Sequence, residues 1–199
     1  MAEKGEDMEF HELVAGARSY RRFDNSKKMT IEELEKLAEL GRITPSGANK
    51  QYVRFALSAD ENTNKEIYKN VAWAGYLSDW DGPEEKERPT GYILILRDLT
   101  IQKNLTVDEG IVAQTIFLGA RSMGYGGCML MNIKREELMK IFGLDPDRYA
   151  ISMVIALGVA VEKVEMVEMK DGDVRYYRDE AQTHYVPKRS LNEVIVKEI

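Results

Sequence analysis

Arg18-Ser19-Tyr20-Arg21-Arg22-Phe23 gathers three guanidiniums and a hydroxyl into one short stretch. A guanidinium is a planar fork of donors that pairs bidentately with phosphate or carboxylate. Ser19 adds a short donor that reaches the same oxygens, and Phe23 is an apolar anchor for the segment. Two readings stand side by side: a pocket for a phosphorylated ligand, or a solvated basic turn after a helix. Lys188-Arg189 lies near the other end of the chain. If the two ends meet in space, Arg18, Ser19, Arg21, Lys188 and Arg189 form a strong site for a terminal phosphate. If they do not, Lys188-Arg189 is a solvated pair.

A second constellation is Pro45-Ser46-Gly47-Ala48-Asn49-Lys50-Gln51. Ser46, Asn49 and Gln51 carry hydroxyl and amide groups that a tight loop could converge on the polar edge of a flat heterocycle. The plainer reading is a helix-to-strand turn. A third is Gly124-Tyr125-Gly126-Gly127-Cys128-Met129-Leu130-Met131. It is not a dinucleotide fingerprint, which needs a strand before the glycines and a helix after them. Its small residues would let a planar ring approach the backbone, or let a helix pack tightly on a strand. Trp73, Tyr76 and Trp80 either cover a substrate or pack in the core. Cys128 reads as a buried structural thiol, and Asp108-Glu109 as solvated charge.

These groups need elements to hold them. Apolar residues at helical spacing predict a helix from Met8 to Ala17. Thr30 before Ile31-Glu32-Glu33 is an N-cap followed by acidic residues in the first turn. Ile31, Leu34, Leu37, Ala38 and Gly41 then form one face, and Pro45 ends the helix between Gly41 and Thr44. Val53, Phe55 and Leu57 alternate with more polar neighbours and predict a strand. A helix is expected over Asn64 to Leu77, then a long irregular loop over Ser78 to Pro89 of the kind that serves as a lid. Tyr92 to Leu96 is a continuous apolar strand, buried on both faces. Thr106 caps a central helix that is apolar on more than one side. Lys134 to Phe142 predicts a short helix and Tyr149 to Val161 a strand. From Lys163 onward no compact apolar face is evident, and this tail is expected to reach across another subunit. The mixture without regular alternation indicates α+β.

Composition narrows the partners. A chain of 199 residues suits one domain with a real core, here residues 1–199. A net charge of -6 gives the molecule no general attraction to nucleic acid or to an anionic membrane, so its cations act locally. One cysteine permits no internal disulfide and no multi-cysteine metal site, and two histidines argue against a histidine metal centre. Met1 to Glu9 is acidic without a hydrophobic run, so no signal peptide is expected. The longest apolar run is too short to span a bilayer. A cytoplasmic protein is expected.

In this order, the motifs resemble those of the nitroreductase-like flavin enzymes. That family opens with an Arg-Arg-Ser-x-Arg-x-Phe type of motif, matched by Arg18 to Phe23. Ala17 stands where a first basic residue is common, with Arg189 or Arg22 as the available substitute. A Pro-Ser-x-x-Asn-x-Gln motif matches Pro45 to Gln51, with Tyr52-Val53 where Pro-Trp often follows. Met123 to Met129 is similar to the family's Leu-Gly-x-Gly segment, and Lys188-Arg189-Ser190-Leu191 to its C-terminal basic motif. The resemblance implies a mainly antiparallel sheet flanked by helices, a C-terminal tail exchanged across a homodimer, and FMN at the interface. It implies that Arg18, Ser19 and Arg21 bind the ribityl phosphate and nearby flavin atoms, joined by Lys188 or Arg189. Pro45, Ser46 and Asn49 would come from the opposite subunit. Backbone groups of Met129, Leu130 and Met131 would face the reactive edge of the isoalloxazine. The implied reaction passes hydride from NADH or NADPH through the flavin to a small-molecule acceptor such as a nitroaromatic or quinone. Dehalogenation, enal reduction, flavin breakdown and non-catalytic flavin binding are the alternatives.

Overall fold

The structure is a computed structural model and describes residues 9–199. The acidic stretch up to Met8, and the expected helix start there, lie outside the described residues. Seven strands and six α-helices run in the order α1 (Phe10–Gly16), α2 (Ile31–Arg42), β1 (Val53–Ser58), α3 (Glu61–Tyr68), β2 (Gly91–Asp98), α4 (Asp108–Ser122), β3 (Gly126–Leu130), α5 (Arg135–Ile141), β4 (Tyr149–Gly158), β5 (Val164–Glu168), β6 (Tyr177–Arg178), β7 (His184–Lys188) and α6 (Leu191–Val194). The main sheet has the order β1-β2-β4-β3 and every pairing in it is antiparallel. Helices cover both of its faces, so the fold is α+β as expected.

The apolar run of β2 follows from that layering. Ile93 and Ile95 join the core under α2 and α4, while Tyr92, Leu94 and Leu96 join the core under α3 and α5. Side chains alternate across a strand, so a strand covered on both faces needs apolar residues at every position. Helix α2 starts as its sequence dictates. Thr30 accepts from Glu33 N–H, and the Glu33 carboxylate accepts from Thr30 N–H. Helix α4 crosses α2 at Gly119, where an added Cβ would collide with Leu40. Glycine there lets the two helices approach without displacing the Leu40 side chain.

One expectation is corrected. The helix placed over Asn64 to Leu77 is Glu61–Tyr68, opened by Asp60, whose side chain accepts from Thr63 N–H. It stops because Val71 bridges to Ile133 and Trp73 turns into the α3–α5 core. The stretch after Lys163 is not irregular throughout. Within the protomer it forms a second sheet, β5-β7-β6, with β5 and β7 parallel. Beyond it, Leu191, Val194 and Val196 are exposed apolar side chains.

Candidate functional site

Two isolated bridges clamp the basic segment to the main sheet. Ser19 pairs with Gly127 of β3, and Phe23 with Ala160 just beyond β4. Tyr20 N–H donates to Gly127 O at 2.8 Å, and Phe23 N–H to Glu87 O at 2.9 Å. Phe23 is fully buried, with Gly158 so close that an added Cβ would sit 3.1 Å from the ring. The segment is therefore anchored as its aromatic residue suggested.

Between this segment and β7 lies a cleft of about 330 Å³. Arg18, Ser19, Arg21, Met129, His184 and Lys188 line it, with Gln114 and Phe117 of α4 and Tyr176 ahead of β6. The two ends of the chain do meet. The lining carries Arg18, Arg21 and Lys188 and no carboxylate.

Arg21 is held from several sides. Its backbone N–H donates to Glu162 Oε2 at 2.8 Å. Its Nη1 donates to Ser19 O at 3.2 Å and lies 3.2 Å from His184 Nε2. Its guanidinium carbon is 4.8 Å from the centre of the Tyr176 ring, a cation–π distance. Arg21 is only 8% exposed, yet its Nε has no partner among the described residues. Arg18 donates through Nη2 to Val14 O at 2.8 Å, and its Nε is likewise buried and unpartnered among them. Buried donors are costly to leave unpaired. A cleft lined by Arg18, Arg21 and Lys188 without a carboxylate fits an anionic ligand such as a phosphate.

Glu162 stands behind the cleft. Its Oε1 accepts from Arg178 Nη2 at 2.5 Å, and Arg178 lies over Trp80 at 4.2 Å. His184 is fully buried, and desolvation followed by the Arg21 and Arg178 charges pushes its pKa down to about 4. Arginine cannot accept a hydrogen bond, so Nε2 accepts from Arg21 and the proton sits on Nδ1. Nδ1 lies 3.9 Å from Glu162 Oε1.

His184 should make the fold acid-sensitive. Between its ordinary value of 6.5 and about 4 the unfolded chain binds a proton that the folded chain refuses. Stability is therefore present above that window and falls as pH drops through it. At about 1.4 kcal/mol per unit the full effect is at most ~3.5 kcal/mol, reduced by solvent screening. Urea midpoints from pH 7 to pH 4 should fall less steeply for His184→Gln than for the wild type. Parallel curves would remove His184 as the source.

The other expected site residues divide. Lys188 lines the cleft, whereas Arg189 Nη1 pairs with Glu193 Oε1 of α6 at 3.4 Å and is not part of the lining. Arg22 is not a substitute for the missing basic residue at Ala17, because it pairs bidentately with Glu87 at 2.7 and 2.8 Å. The Met129 side chain lines the cleft and that of Leu130 turns into the α3–α5 core, as alternation along β3 requires, while Met131 beyond the strand is exposed; the expectation for these three residues concerns their backbone groups. Trp73 packs in that same core, while Tyr76 meets Tyr176 in a tilted contact with ring centres 4.9 Å apart.

Pro45 and Ser46 border a separate recess of about 110 Å³, which shares no lining residue with the cationic cleft. Asp108, expected as solvated charge, is buried and organises this loop. Its Oδ2 accepts from Ser46 Oγ at 2.7 Å and from Gly47 N–H at 3.0 Å. Ser46 Oγ in turn accepts from Gln51 N–H at 3.0 Å, so its hydroxyl is committed inside the loop. Ala48, Asn49 and Gln51 hold left-handed φ of 49°, 52° and 48°, conformations retained only where surroundings enforce them. Asn49 and Gln51 are exposed and joined by Gln51 Nε2 donating to Asn49 Oδ1 at 3.0 Å. Glu109 is buried too, accepting from the Tyr52 hydroxyl at 2.8 Å and from Thr106 N–H at 3.1 Å. Asp108 and Glu109 are paired, which is why they tolerate burial.

Sequence reasoning missed His184, Tyr176 and Glu162. A signal for the first existed: His184, Val186 and Lys188 alternate along β7, so the strand that presents Lys188 presents His184 on the same face.

An antiparallel sheet between helix layers, with a cationic cleft built from both chain ends, defines an α+β protein whose cleft lining carries three cations and no carboxylate. A family model described as the nitroreductase family matches residues 14–159, and the chain belongs to that family. The "Putative NAD(P)H nitroreductase YdgI" of Bacillus subtilis is 24% identical, over 78% of this chain and 90% of the relative. The "CLA biosynthesis enone reductase" of Lactiplantibacillus plantarum is 23% identical, over 76% and 86%. Among solved structures, a Desulfovibrio desulfuricans protein in complex with FMN superposes with a TM-score of 0.68 at 21% identity, covering 98% of this chain and 99% of that one.

Proposed function

We propose that this chain binds FMN and acts as an NAD(P)H-dependent FMN oxidoreductase. One observation carries the reading: in a nitroreductase-family chain, Arg18, Arg21 and Lys188 converge on a cleft whose lining holds no carboxylate. Those cations, with Ser19, would hold the phosphate. Met129 and the edge of β3 would form the wall beside the flavin ring. The chemistry supplied by bound FMN is hydride acceptance at N5 from NADH or NADPH and delivery to an electrophilic acceptor, in a ping-pong sequence. No side chain of the cleft is needed as the proton donor, since water serves.

The reading extends to a homodimer with FMN at its interface. The Pro45–Gln51 loop shares no lining with the cationic cleft of its own protomer, and its Asn49 and Gln51 amides are exposed, which suits presentation to a partner's flavin. Exposed Val107 and Ile111 on or beside α4, with Phe10 on α1, offer apolar surface for association, and Leu191 to Ile199 is apolar enough to exchange. Nitroaromatics and quinones are the proposed acceptors. An activated carbon–carbon double bond is the second reading, favoured by a relative named as an enone reductase at nearly the same identity as the one named as a nitroreductase. No described helix is long and apolar enough to cross a membrane. The buried Cys128 thiol suits the reducing cytoplasm, which is the compartment proposed.

The purified protein should be yellow, with flavin absorbance bleached anaerobically by NADH or NADPH and restored by a quinone. A colourless protein that takes up no added FMN would overturn the proposal. The cleft also separates the two C-terminal cations. Lys188→Ala should weaken FMN about tenfold, the scale of a charged hydrogen bond. Arg189→Ala should change it less than ~twofold, because an exposed ion pair contributes little. Equal losses in an FMN titration would place Arg189 in the site after all.

A further inference from the structure

We propose that His184 is a positioning residue that aims Arg21, and that it thereby makes the site select phosphorylated flavin over flavin without a phosphate. The inference rests on the FMN reading above. An arginine side chain has about 2 kcal/mol of rotamer entropy to lose before its fork presents a fixed edge. The structure supplies what fixes it. Nη1 is consumed by Ser19 O and His184 Nε2, each at 3.2 Å. The backbone is fixed by Glu162, and Tyr176 covers the guanidinium face. What remains is the edge formed by Nε and Nη2, which makes no hydrogen bond among the described residues; Nε is buried, so Nη2 is the atom of that edge that a ligand reaches first. Two parallel N–H groups on one edge are the arrangement that pairs with two oxygens of a phosphate.

His184 itself has no exposed surface, so it acts through Arg21 and not on the ligand. Its environment keeps it able to accept. Burial and two neighbouring guanidiniums hold the ring neutral at pH 7, leaving a lone pair on Nε2. Tyr176 packs on the ring with centres 5.1 Å apart, and Glu162 Oε1 is the nearest carboxylate to Nδ1, 3.9 Å away and beyond a direct hydrogen bond. The lone pair is directed at Nη1, so losing it frees the guanidinium to rotate and turn its paired edge away.

The test compares dissociation constants for FMN and for riboflavin, which shares the ring and the ribityl chain and lacks the phosphate. His184→Phe keeps a ring against Tyr176 and removes the acceptor. It should weaken FMN about tenfold and leave riboflavin unchanged. His184→Gln restores an acceptor and should bind FMN within ~threefold of wild type. In an Arg21→Ala background, His184→Phe should cost nothing further, because the two act as one unit. Should His184→Phe not fold, His184→Leu is read in the same way. Equal loss of both flavins, or additive losses with Arg21→Ala, overturns the assignment and leaves His184 a packing residue. A wild type that binds neither flavin overturns the FMN reading itself, a result distinct from a wild type that binds FMN beside variants that match it.

Discussion

Arg21→Ala should abolish FMN retention through purification and raise the dissociation constant roughly a hundredfold or more. Two charge-assisted hydrogen bonds at about 1.5–3 kcal/mol each would be lost together. The site can supply no replacement, since Arg22 is occupied by Glu87 and Arg189 by Glu193. Arg21→Lys should recover little, because an ammonium is a point charge without the paired edge of the guanidinium. Arg22→Ala is the control: it removes a partly exposed ion pair outside the cleft and should leave FMN affinity within ~twofold. Flavin content measured by absorbance, with circular dichroism to verify the fold, decides the matter. Full flavin occupancy in Arg21→Ala would take Arg21 out of the site and remove the main support for the proposed ligand.

Phe23→Ala should be the most destabilising of these changes, costing about 3–5 kcal/mol and lowering Tm by roughly 10 °C or more. The ring is fully buried against Gly158, at the end of β4, so its removal leaves a cavity where the main sheet meets the basic segment. The bridge to Ala160 and the bond to Glu87 O stay chemically possible, but they lose the packing that keeps them dry. FMN affinity should fall with stability, because the same residue fastens Arg18, Ser19 and Arg21. Phe23→Leu should recover most of both. A urea midpoint within ~1 kcal/mol of wild type for Phe23→Ala would mean that the two bridges alone secure the segment.

Several parts of the fold were legible because they depend on neighbours in sequence. The Thr30–Glu33 capping box is a contact three residues long, and Pro45 stops α2 by its own geometry. Strand β2 announced its double burial through an unbroken apolar run. Other parts were not legible. Asp108 and Glu109 look solvated in sequence, and only the arrival of Ser46, Gly47 and Tyr52 explains their burial. The helix expected over Asn64 to Leu77 lost its second half to the Val71–Ile133 bridge, a contact with β3's far side of the chain that no local propensity encodes.

The site divides along the same line. Residue types alone determined that Arg18, Ser19, Arg21 and Lys188 could pair with an anion. Tertiary structure decided which cations are free to do so. The sheet order β1-β2-β4-β3 brings the end of β4 beside the Ser19–Gly127 bridge, and this sets Glu162 against the backbone of Arg21. The return of β7 along β5 then seats His184 on the guanidinium and carries Lys188 to the cleft, while Arg189 meets Glu193. Charge and hydrogen-bonding capacity belong to each residue, whereas occupancy of a donor depends on which distant partner the chain path places within about 3 Å.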